Sequence, residues 1–331
     1  MPRLFIVYGI VALALFFDFL NGMHDAANEI ATVVSTRVLS PRNAVLWAAC
    51  FHMVAAFGFG VHVANTIGKG LISPKAMDNA VILGALIGGS LWNYFTIRLG
   101  LPVSSSHSLI GGLVGAAVAK AGWGCLMPWG IGVVVAFMII SPLFGLLLGY
   151  ALMVISSWAF RRTSPRQVDV FARIGQLASS AFLSLSHGLN DAQKTMGVIA
   201  ILLFSNGVLG PHFYIPKWVI LSCYAVMSLG TLAGGWKVVH TVGQRVTKLR
   251  PLSGMCADLG SGTVMFVCGM AGIPISTTHL VNGTLMGVGA TQRLSAVRWG
   301  VVHEIIVAWF LTIPCAAAVA AISYHIFAHF I

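Results

Sequence analysis

The chain carries Asn21-Gly22-Met23-His24-Asp25-Ala26-Ala27-Asn28-Glu29 within an apolar run that extends from about residue 4 to residue 34. A related segment, Ser186 to Lys194 with the sequence SHGLNDAQK, lies within a second apolar run. Ionisable groups at membrane depth are energetically costly and therefore usually mark a site or a pathway. We predict that the two segments face each other and hold an ion together with its counter-ions.

The composition of the 331 residues is that of a polytopic membrane protein, with 58% hydrophobic and only 8% charged residues. Lys and Arg number 19 against 8 Asp and Glu, and most of the basic residues lie in short loops. We interpret this excess as a determinant of orientation, and we expect a lipid bilayer, and no nucleic acid, as the partner. The 6 cysteines show neither a CxxC motif nor zinc-ligand spacing, so we assign them to packing.

Apolar segments can be drawn at 4–36, 43–68, 78–98, 103–121, 128–158, 171–205, 215–237, 251–270, 275–290 and 297–330. A single straight crossing of the hydrocarbon core takes roughly 20 residues, so the longest segments must tilt, break or double back. These are 4–36, which we predict to be a retained first span, and 128–158, 171–205 and 297–330. The short segments 103–121 and 275–290 are rich in Gly, Ser and Thr, and we expect half-helices or re-entrant pieces there.

An internal repeat organises the chain. GLPVSSSHSLIGGLVG at 100–115 matches GIPISTTHLVNGTLMG at 272–287 with an offset of 172 residues. The opening motif recurs with an offset of 166, which pairs Asp25 with Asp191. Repeats of this kind predict duplicated structural units. We therefore divide the chain into a first repeat at 1–158, a cytoplasmic linker at 159–170 and a second repeat at 171–331.

Five segments in each half give the two halves opposite orientations, which is the inverted-repeat plan of many secondary transporters. With the linker in the cytoplasm and Lys194 set aside as a motif residue, few basic residues fall outside. They are Arg3, Lys69, Lys75, Lys120 and Lys217. This bias follows the positive-inside rule and predicts that both termini lie outside. The predicted fold is an all-α, polytopic transmembrane helical bundle of two inverted-topology repeats with broken or re-entrant helices.

The recurring carboxylates, Asp25 and Asp191, are the first candidates for a functional site. A carboxylate accepts hydrogen bonds or binds cations, and it cannot by itself hold a fully deprotonated anion. Two such groups at one site indicate a coupling cation, or a substrate that carries its own protons. The alternative is a purely structural pair that ties helices together.

Three neighbouring groups could assist these carboxylates. His24 adjoins Asp25 and could exchange protons near physiological pH, or serve only as a structural hydrogen-bonding group. Glu29 lies one helical turn beyond Asp25 and could extend a proton or cation path, whereas Thr195 occupies the matched position in the second half. Lys194 places a positive charge near Asp191, and its partner could be Asp25, Glu29 or the anion.

The hydroxyl-rich stretches Ser104-Ser105-Ser106-His107 and Ser276-Thr277-Thr278-His279 each follow a Gly-x-Pro sequence. Proline suits the first turn of a helix, and Ser or Thr caps its N-terminus. Such a terminus offers free N–H groups, hydroxyl donors and a positive dipole end, which suit an oxyanion. We predict that the two termini clamp one tetrahedral anion; plain capping without a ligand is the alternative. We expect His107 and His279 to brace backbone carbonyls.

The motifs NGMHDAAN at 21–28, SHGLNDAQK at 186–194, GLPVSSSH at 100–107 and GIPISTTH at 272–279 resemble those of the inorganic phosphate transporter (PiT) family. The resemblance covers nearly the whole chain, apart from an insert that longer members carry between the halves. It implies import of inorganic phosphate across the cell membrane, driven by a cation gradient, with alternating access to a central site. It assigns Asp25, Asn28, Asn190 and Asp191 to substrate and cation binding, and the Ser/Thr runs to phosphate.

We add Lys194 to these substrate-binding candidates and count His24 and Glu29 with the carboxylates in cation coupling. We assign supporting roles to Asn21, His107, His187, Gln193 and His279. His24 stands where the sodium-coupled branch usually has Asn, as in bacterial members that use protons and carry metal–phosphate complexes. The resemblance thus favours protons over sodium as the coupling cation, with a divalent metal as co-transported cargo, no resident metal or cofactor, and a homodimer left open.

Phosphate is the favoured anion, because near neutral pH it keeps a proton that it can donate to Asp25 or Asp191, whereas sulfate cannot. A sulfate permease of the same family and a passive anion channel are the alternatives. An intramembrane enzyme is disfavoured. The adjacent Ser106 and His107 do not form a nucleophile–base pair, and neither Gly-x-Ser-x-Gly nor His-Glu-x-x-His occurs in the sequence.

Overall fold

The computed structural model describes residues 2–58 and 60–330, and the side chains of residues 2, 3 and 69 lie outside that description. The outward orientation predicted for Arg3 and Lys69 therefore concerns side chains outside the described residues. Within the described ranges the regular structure is helical, without β-strands, which confirms the predicted all-α class.

Twelve α-helices occur in the described part of the chain: α1 (Pro2–Ser35), α2 (Pro41–Ala55), α3 (His62–Gly70), α4 (Asn79–Leu99), α5 (Ser105–Ala121), α6 (Pro128–Ala159), α7 (Pro165–Ser205), α8 (Lys217–Ala233), α9 (Trp236–His240), α10 (Pro251–Met270), α11 (Thr277–Ala290) and α12 (Trp299–Phe327). A π-helical turn, Thr241–Arg245, continues α9.

Several of these helices are suited to a membrane. Among the described residues, α1, α4, α6, α10 and α12 are each long and apolar enough to cross one. A sixth crossing results if α8 is taken together with Trp236–Arg245, with a bend of 66° between the two pieces. The longest helix, α7, has 41 residues and contains the polar segment 186–194. This architecture is that of a multi-pass membrane protein.

The long apolar segments neither break nor double back, because each forms one continuous helix: α1, α6, α7 and α12. At 1.5 Å per residue, α1 extends over about 50 Å, so it must tilt or project beyond a hydrocarbon core of about 30 Å. The segment drawn at 43–68 is instead divided into α2 and α3. Gly60 lies in the connection with a φ of 74°, a left-handed conformation that favours glycine.

The connection between α6 and α7 is shorter than the linker predicted at 159–170. The first helix ends at Ala159, and the second begins at Pro165, where proline suits a first turn. Ser164 and Gln167 form a capping box at this start. Helix α7 therefore starts several residues before the apolar segment predicted at 171–205.

Several helices of the first half of the chain pack against helices of the second half. In the described structure α5 packs against α12 and α11 packs against α6, while α1 packs against α8 and α7 against α2. The first two contacts bring backbones together: a Cβ added at Gly115 would lie 2.2 Å from the Ala317 carbonyl oxygen, and one added at Gly287 would lie 2.2 Å from that of Leu146. Small residues permit such close helix contacts in membranes.

The short helices α5 and α11 begin inside the bundle. Each follows an extended stretch that comes after a glycine with positive φ, Gly100 at 73° and Gly272 at 70°. Ser104 and Ser276 adopt extended conformations at the two N-caps, and the first turns of both helices are buried. Their N-termini therefore lie in the protein interior, beside the polar segments of α1 and α7.

Candidate functional site

The carboxylates of the two repeated motifs share one site. Asp25 on α1 and Asp191 on α7 are almost completely buried, at 1% and 0% exposure. One oxygen of each carboxylate and one ring nitrogen of His187 all lie within 4.8 Å of one another. Buried carboxylates are costly unless they are paired or hydrogen-bonded, so this juxtaposition requires compensating partners.

The tips of α5 and α11 supply matched hydroxyl partners. Ser105 Oγ donates to Asp25 Oδ2 at 2.9 Å, and Thr277 Oγ1 donates to Asp191 Oδ2 at 2.9 Å. Ser105 and Thr277 occupy corresponding positions of the internal repeat. Each carboxylate is thus bonded to a hydroxyl at the tip of a short helix from its own half.

The fourth residue of each Asp-x-x-Xaa motif connects the two halves. Asn28 Nδ2 donates to Asp25 Oδ1 at 3.1 Å and to Thr278 Oγ1 at 2.9 Å. Lys194 Nζ donates to Asp191 Oδ1, to Ser106 Oγ and, at 2.8 Å, to the Ile275 carbonyl oxygen. Lys194 thus pairs with Asp191 on its own helix, which is none of the three partners considered from the sequence.

The two helix tips are also in contact with each other. Thr278 Oγ1 lies 3.1 Å from the Val103 carbonyl oxygen, and the rings of His107 and His279 meet edge-on with centroids 4.8 Å apart. Ser104 and Ser276 cap their helices by accepting hydrogen bonds of 3.2 Å from the N–H groups of His107 and His279. Two positive helix ends therefore converge beside two carboxylates. This combination of donors and acceptors suits an anion that retains a proton.

A histidine lies against each carboxylate. His24 contacts Asp25 Oδ1 through Nδ1 at 3.2 Å and the Leu101 carbonyl oxygen through Nε2 at 3.1 Å. His187 contacts Asp191 Oδ2 through Nε2 at 3.1 Å and Glu29 Oε1 through Nδ1 at 3.2 Å. The imidazole of His187 thus lies between two acidic side chains.

This chain of contacts continues to a residue that the sequence did not single out. His52 Nε2 on α2 lies 2.7 Å from Glu29 Oε2, and both side chains are fully buried. The rings of His52 and His187 are stacked with centroids 5.6 Å apart. The only sequence signal was a histidine within the apolar stretch 44–55, where a buried imidazole needs a partner. One ligand atom each of Glu29, His52 and His187 lies within 4.8 Å of the others, so the three residues could hold a metal ion, although Glu29 also lies close enough to each histidine for direct pairing, at 2.7 and 3.2 Å.

The remaining predicted site residues lie at the edge of this cluster. Asn190 Nδ2 donates to the Met265 carbonyl oxygen at 2.7 Å and so ties α7 to α10. Gln193 Oε1 accepts from the Val63 N–H at 2.9 Å at the start of α3. Asn21 Nδ2 lies 3.5 Å from Asp18 Oδ1. In this conformation these amides bond to protein groups of neighbouring helices or to their own helix.

The two histidines at the helix tips differ in their contacts. His279 Nδ1 lies 3.3 Å from the Met138 carbonyl oxygen, and its ring stacks on Trp309 with centroids 3.8 Å apart. His107 Nδ1 has no hydrogen-bond partner among the described residues. Backbone bracing of the kind expected for both is therefore seen for His279 alone in the described structure.

Comparison with known proteins places this site in a family context. The phosphate transporter family (PHO4) matches the chain over residues 21–171 and 158–320. A protein of Rhizobium meliloti (strain 1021), named a probable low-affinity inorganic phosphate transporter, is 51% identical over 96% of both chains. A protein of Bacillus subtilis (strain 168) with the same name is 40% identical over 96% of both chains. A solved structure titled "The sodium-dependent phosphate transporter" is similar with a TM-score of 0.89 and 26% identity, and covers 98% of this chain and 100% of that one.

Proposed function

The chain belongs to the phosphate transporter family, and from that premise we propose that it is a secondary active symporter that imports inorganic phosphate with protons by alternating access. The substrate and the transport role follow directly from membership of this family. The protein is a multi-pass membrane transporter with inorganic phosphate as its substrate, and its role is transport and not catalysis.

One observation carries the choice of substrate site: two hydroxyl-rich helix tips converge beside two buried carboxylates. A tetrahedral anion between the tips would accept hydrogen bonds from Ser105, Ser106, Thr277 or Thr278 and from the first-turn N–H groups. Its own hydroxyl could donate to Asp25 or Asp191, which a fully deprotonated anion could not do. We therefore assign phosphate binding to these tips and expect sulfate to bind poorly.

Alternating access requires a site at the interface between two parts of the protein, and two structurally related halves of opposite orientation would place this site there. The exchanged packing of α5 with α12 and of α11 with α6 supports two related repeats, at 1–158 and 171–331. The matched bonds of Ser105 to Asp25 and of Thr277 to Asp191 support the same relation. An inverted arrangement with both termini outside agrees with the loop charges.

Proton coupling is supported by the imidazoles that face the carboxylates. His24 lies against Asp25, and His187 lies between Asp191 and Glu29, with His52 beyond. An imidazole that faces two carboxylates needs a proton on each nitrogen to donate to both, so the number of bound protons depends on the charge nearby. A phosphate that enters or leaves changes that charge. Sodium is the alternative cation, since the solved neighbour is named sodium-dependent.

The proposal is tested by uptake of radiolabelled phosphate into proteoliposomes that contain the purified protein. We expect accumulation against a phosphate gradient when the imposed pH gradient is acid outside, collapse of that accumulation with an uncoupler, and weak competition by sulfate. Equal stimulation by a sodium gradient at symmetric pH would refute proton coupling, and equal competition by sulfate would refute the assigned substrate. Parallel uptake with and without Mg²⁺ tests co-transport of a metal–phosphate complex, and cross-linking tests the homodimer.

A further inference from the structure

Lys194 is a buried lysine in the centre of the site, and the side chain at the matched position of the first half is Asn28. We propose that the Lys194 ammonium group takes the place of an inorganic monovalent cation in the second half of the site, while the first half, at Asp25 and Asn28, retains a site for an exchangeable cation. The inference rests on the proposed transport function and adds to it the number of cations that each transport cycle uses.

The surroundings of the ammonium group are those of a bound cation. Lys194 is only 3% exposed, and Nζ contacts three oxygens of different kinds: a carboxylate of Asp191, a hydroxyl of Ser106 and the backbone carbonyl of Ile275. An ammonium group has three hydrogens to donate, so these three acceptors satisfy it completely. Carboxylate, hydroxyl and carbonyl oxygens are also the ligands that hard metal cations prefer.

The first half has the same geometry with a different side chain. Asn28 lies three residues after Asp25, as Lys194 lies three residues after Asp191, and each contacts the Oδ1 atom of that carboxylate. Each also contacts the third hydroxyl residue of the opposite helix tip, Thr278 for Asn28 and Ser106 for Lys194. At this position, therefore, the first half provides a neutral amide and the second a fixed positive charge.

Asn28 carries an unused acceptor. Its Nδ2 group is bonded, but its Oδ1 atom is buried without a hydrogen-bond partner among the described residues. Buried polar atoms in folded proteins almost always have a partner, so an unpartnered oxygen beside a carboxylate points to a ligand that is a cation or a donor. The second half has no such free amide oxygen at the matched position, because the lysine supplies the cation itself.

Direct binding of phosphate by Lys194 is the competing role. All three ammonium hydrogens are directed at protein oxygens, so a phosphate oxygen could be reached only if one of these bonds broke. Removal of the charge would moreover leave the buried negative charge of Asp191 with only His187 and the neutral Thr277 hydroxyl as partners, which is costly. The geometry thus favours a counter-ion of Asp191 that remains in the protein throughout the cycle.

The substitution Lys194→Asn tests this role, because it installs in the second half the side chain of the first. At a fixed pH gradient, we expect uptake by Lys194→Asn to fall at least tenfold in choline chloride and to recover as NaCl replaces choline, with a steeper Na⁺ dependence than wild type shows. Lys194→Met removes the charge without an oxygen ligand, and we expect no recovery. Lys120→Asn removes a partly exposed lysine that is paired with Asp78 outside the site, and it should behave like wild type.

A thermal-unfolding measurement gives a readout that does not depend on transport. NaCl, compared with choline chloride, should raise the melting temperature of purified Lys194→Asn by several degrees more than that of wild type or Lys120→Asn. If the variant unfolds during purification in choline, the inference requires that NaCl restores a monodisperse protein. Equal behaviour in both salts, in melting and recovery, would overturn the inference. Absence of phosphate uptake by wild type would instead overturn the proposed function and leave the melting result to stand by itself.

Discussion

Replacement of Thr277 by Val removes one hydroxyl and keeps the branched shape of the side chain. In the structure this hydroxyl donates to Asp191 Oδ2 at 2.9 Å in a buried environment. When a protonated phosphate enters, its own hydroxyl can donate to that carboxylate, and Thr277 is then free to donate to a phosphate oxygen. The substitution therefore removes one hydrogen bond from the loaded site.

The size of the effect follows from the charge of the acceptor. A hydrogen bond to a charged group contributes about 1.5–3 kcal/mol, and each 1.4 kcal/mol corresponds to about a tenfold change in affinity. We therefore expect the KM for phosphate uptake to rise roughly 10- to 150-fold. The folded state should lose less, because Asp191 keeps Lys194 and His187 as partners.

Initial rates of radiolabelled phosphate uptake into proteoliposomes, measured over a range of phosphate concentrations, give this KM. The matched control is Thr263→Val on α10, because Thr263 is exposed and its hydroxyl donates to its own helix at the Leu259 carbonyl oxygen. The control should retain the wild-type KM. A Thr277→Val protein that reconstitutes normally and has a KM within about twofold of wild type would show that this tip does not bind phosphate.

Three further substitutions address the carboxylates, the histidine chain and the helix contacts. Asp25→Asn should abolish uptake while the amount of membrane-inserted protein stays normal, and substantial uptake would remove this carboxylate from the mechanism. His52→Phe should lower proton-driven accumulation at least tenfold but spare phosphate exchange across vesicles without a gradient; equal loss of both activities would argue against a coupling role. Gly287→Ala places a Cβ 2.2 Å from the Leu146 carbonyl oxygen and should lower the melting temperature by several degrees, whereas Gly132→Ala, with open space around its Cβ, should not.

The sequence was informative where a pattern was duplicated. Two offsets in the chain matched Asp25 with Asp191 and Ser105 with Thr277. In the structure Ser105 donates a hydrogen bond to Asp25, and Thr277 donates one to Asp191. The all-helical fold and the family were also predicted correctly, because apolar length and exact motifs are local properties. Such features depend on which residues follow one another and not on how the helices pack.

Other features depend on packing between distant segments, and the sequence did not reveal them. One of the two histidines that contact Glu29 is His52, and a lone histidine among apolar residues gives no indication of which helix it will face. The sequence also left Asp25, Glu29 and the anion as candidate partners of Lys194, whereas the structure pairs it with Asp191. A lysine side chain is long, and only the tertiary structure decides which group it reaches. For the long segments the sequence left tilting, breaking and doubling back open, and the continuous helices leave tilting, by which an apolar helix can exceed the membrane thickness.

The packing of α5 and α11 against helices of the opposite half has a consequence for dividing the chain into fragments. A polypeptide that ended within residues 160–164 would leave the glycine face of α5 uncovered, since α12 belongs to the other half. The connection between α6 and α7 therefore joins two parts of the chain that depend on each other's helices for packing, and a cut there would separate helices that bury one another.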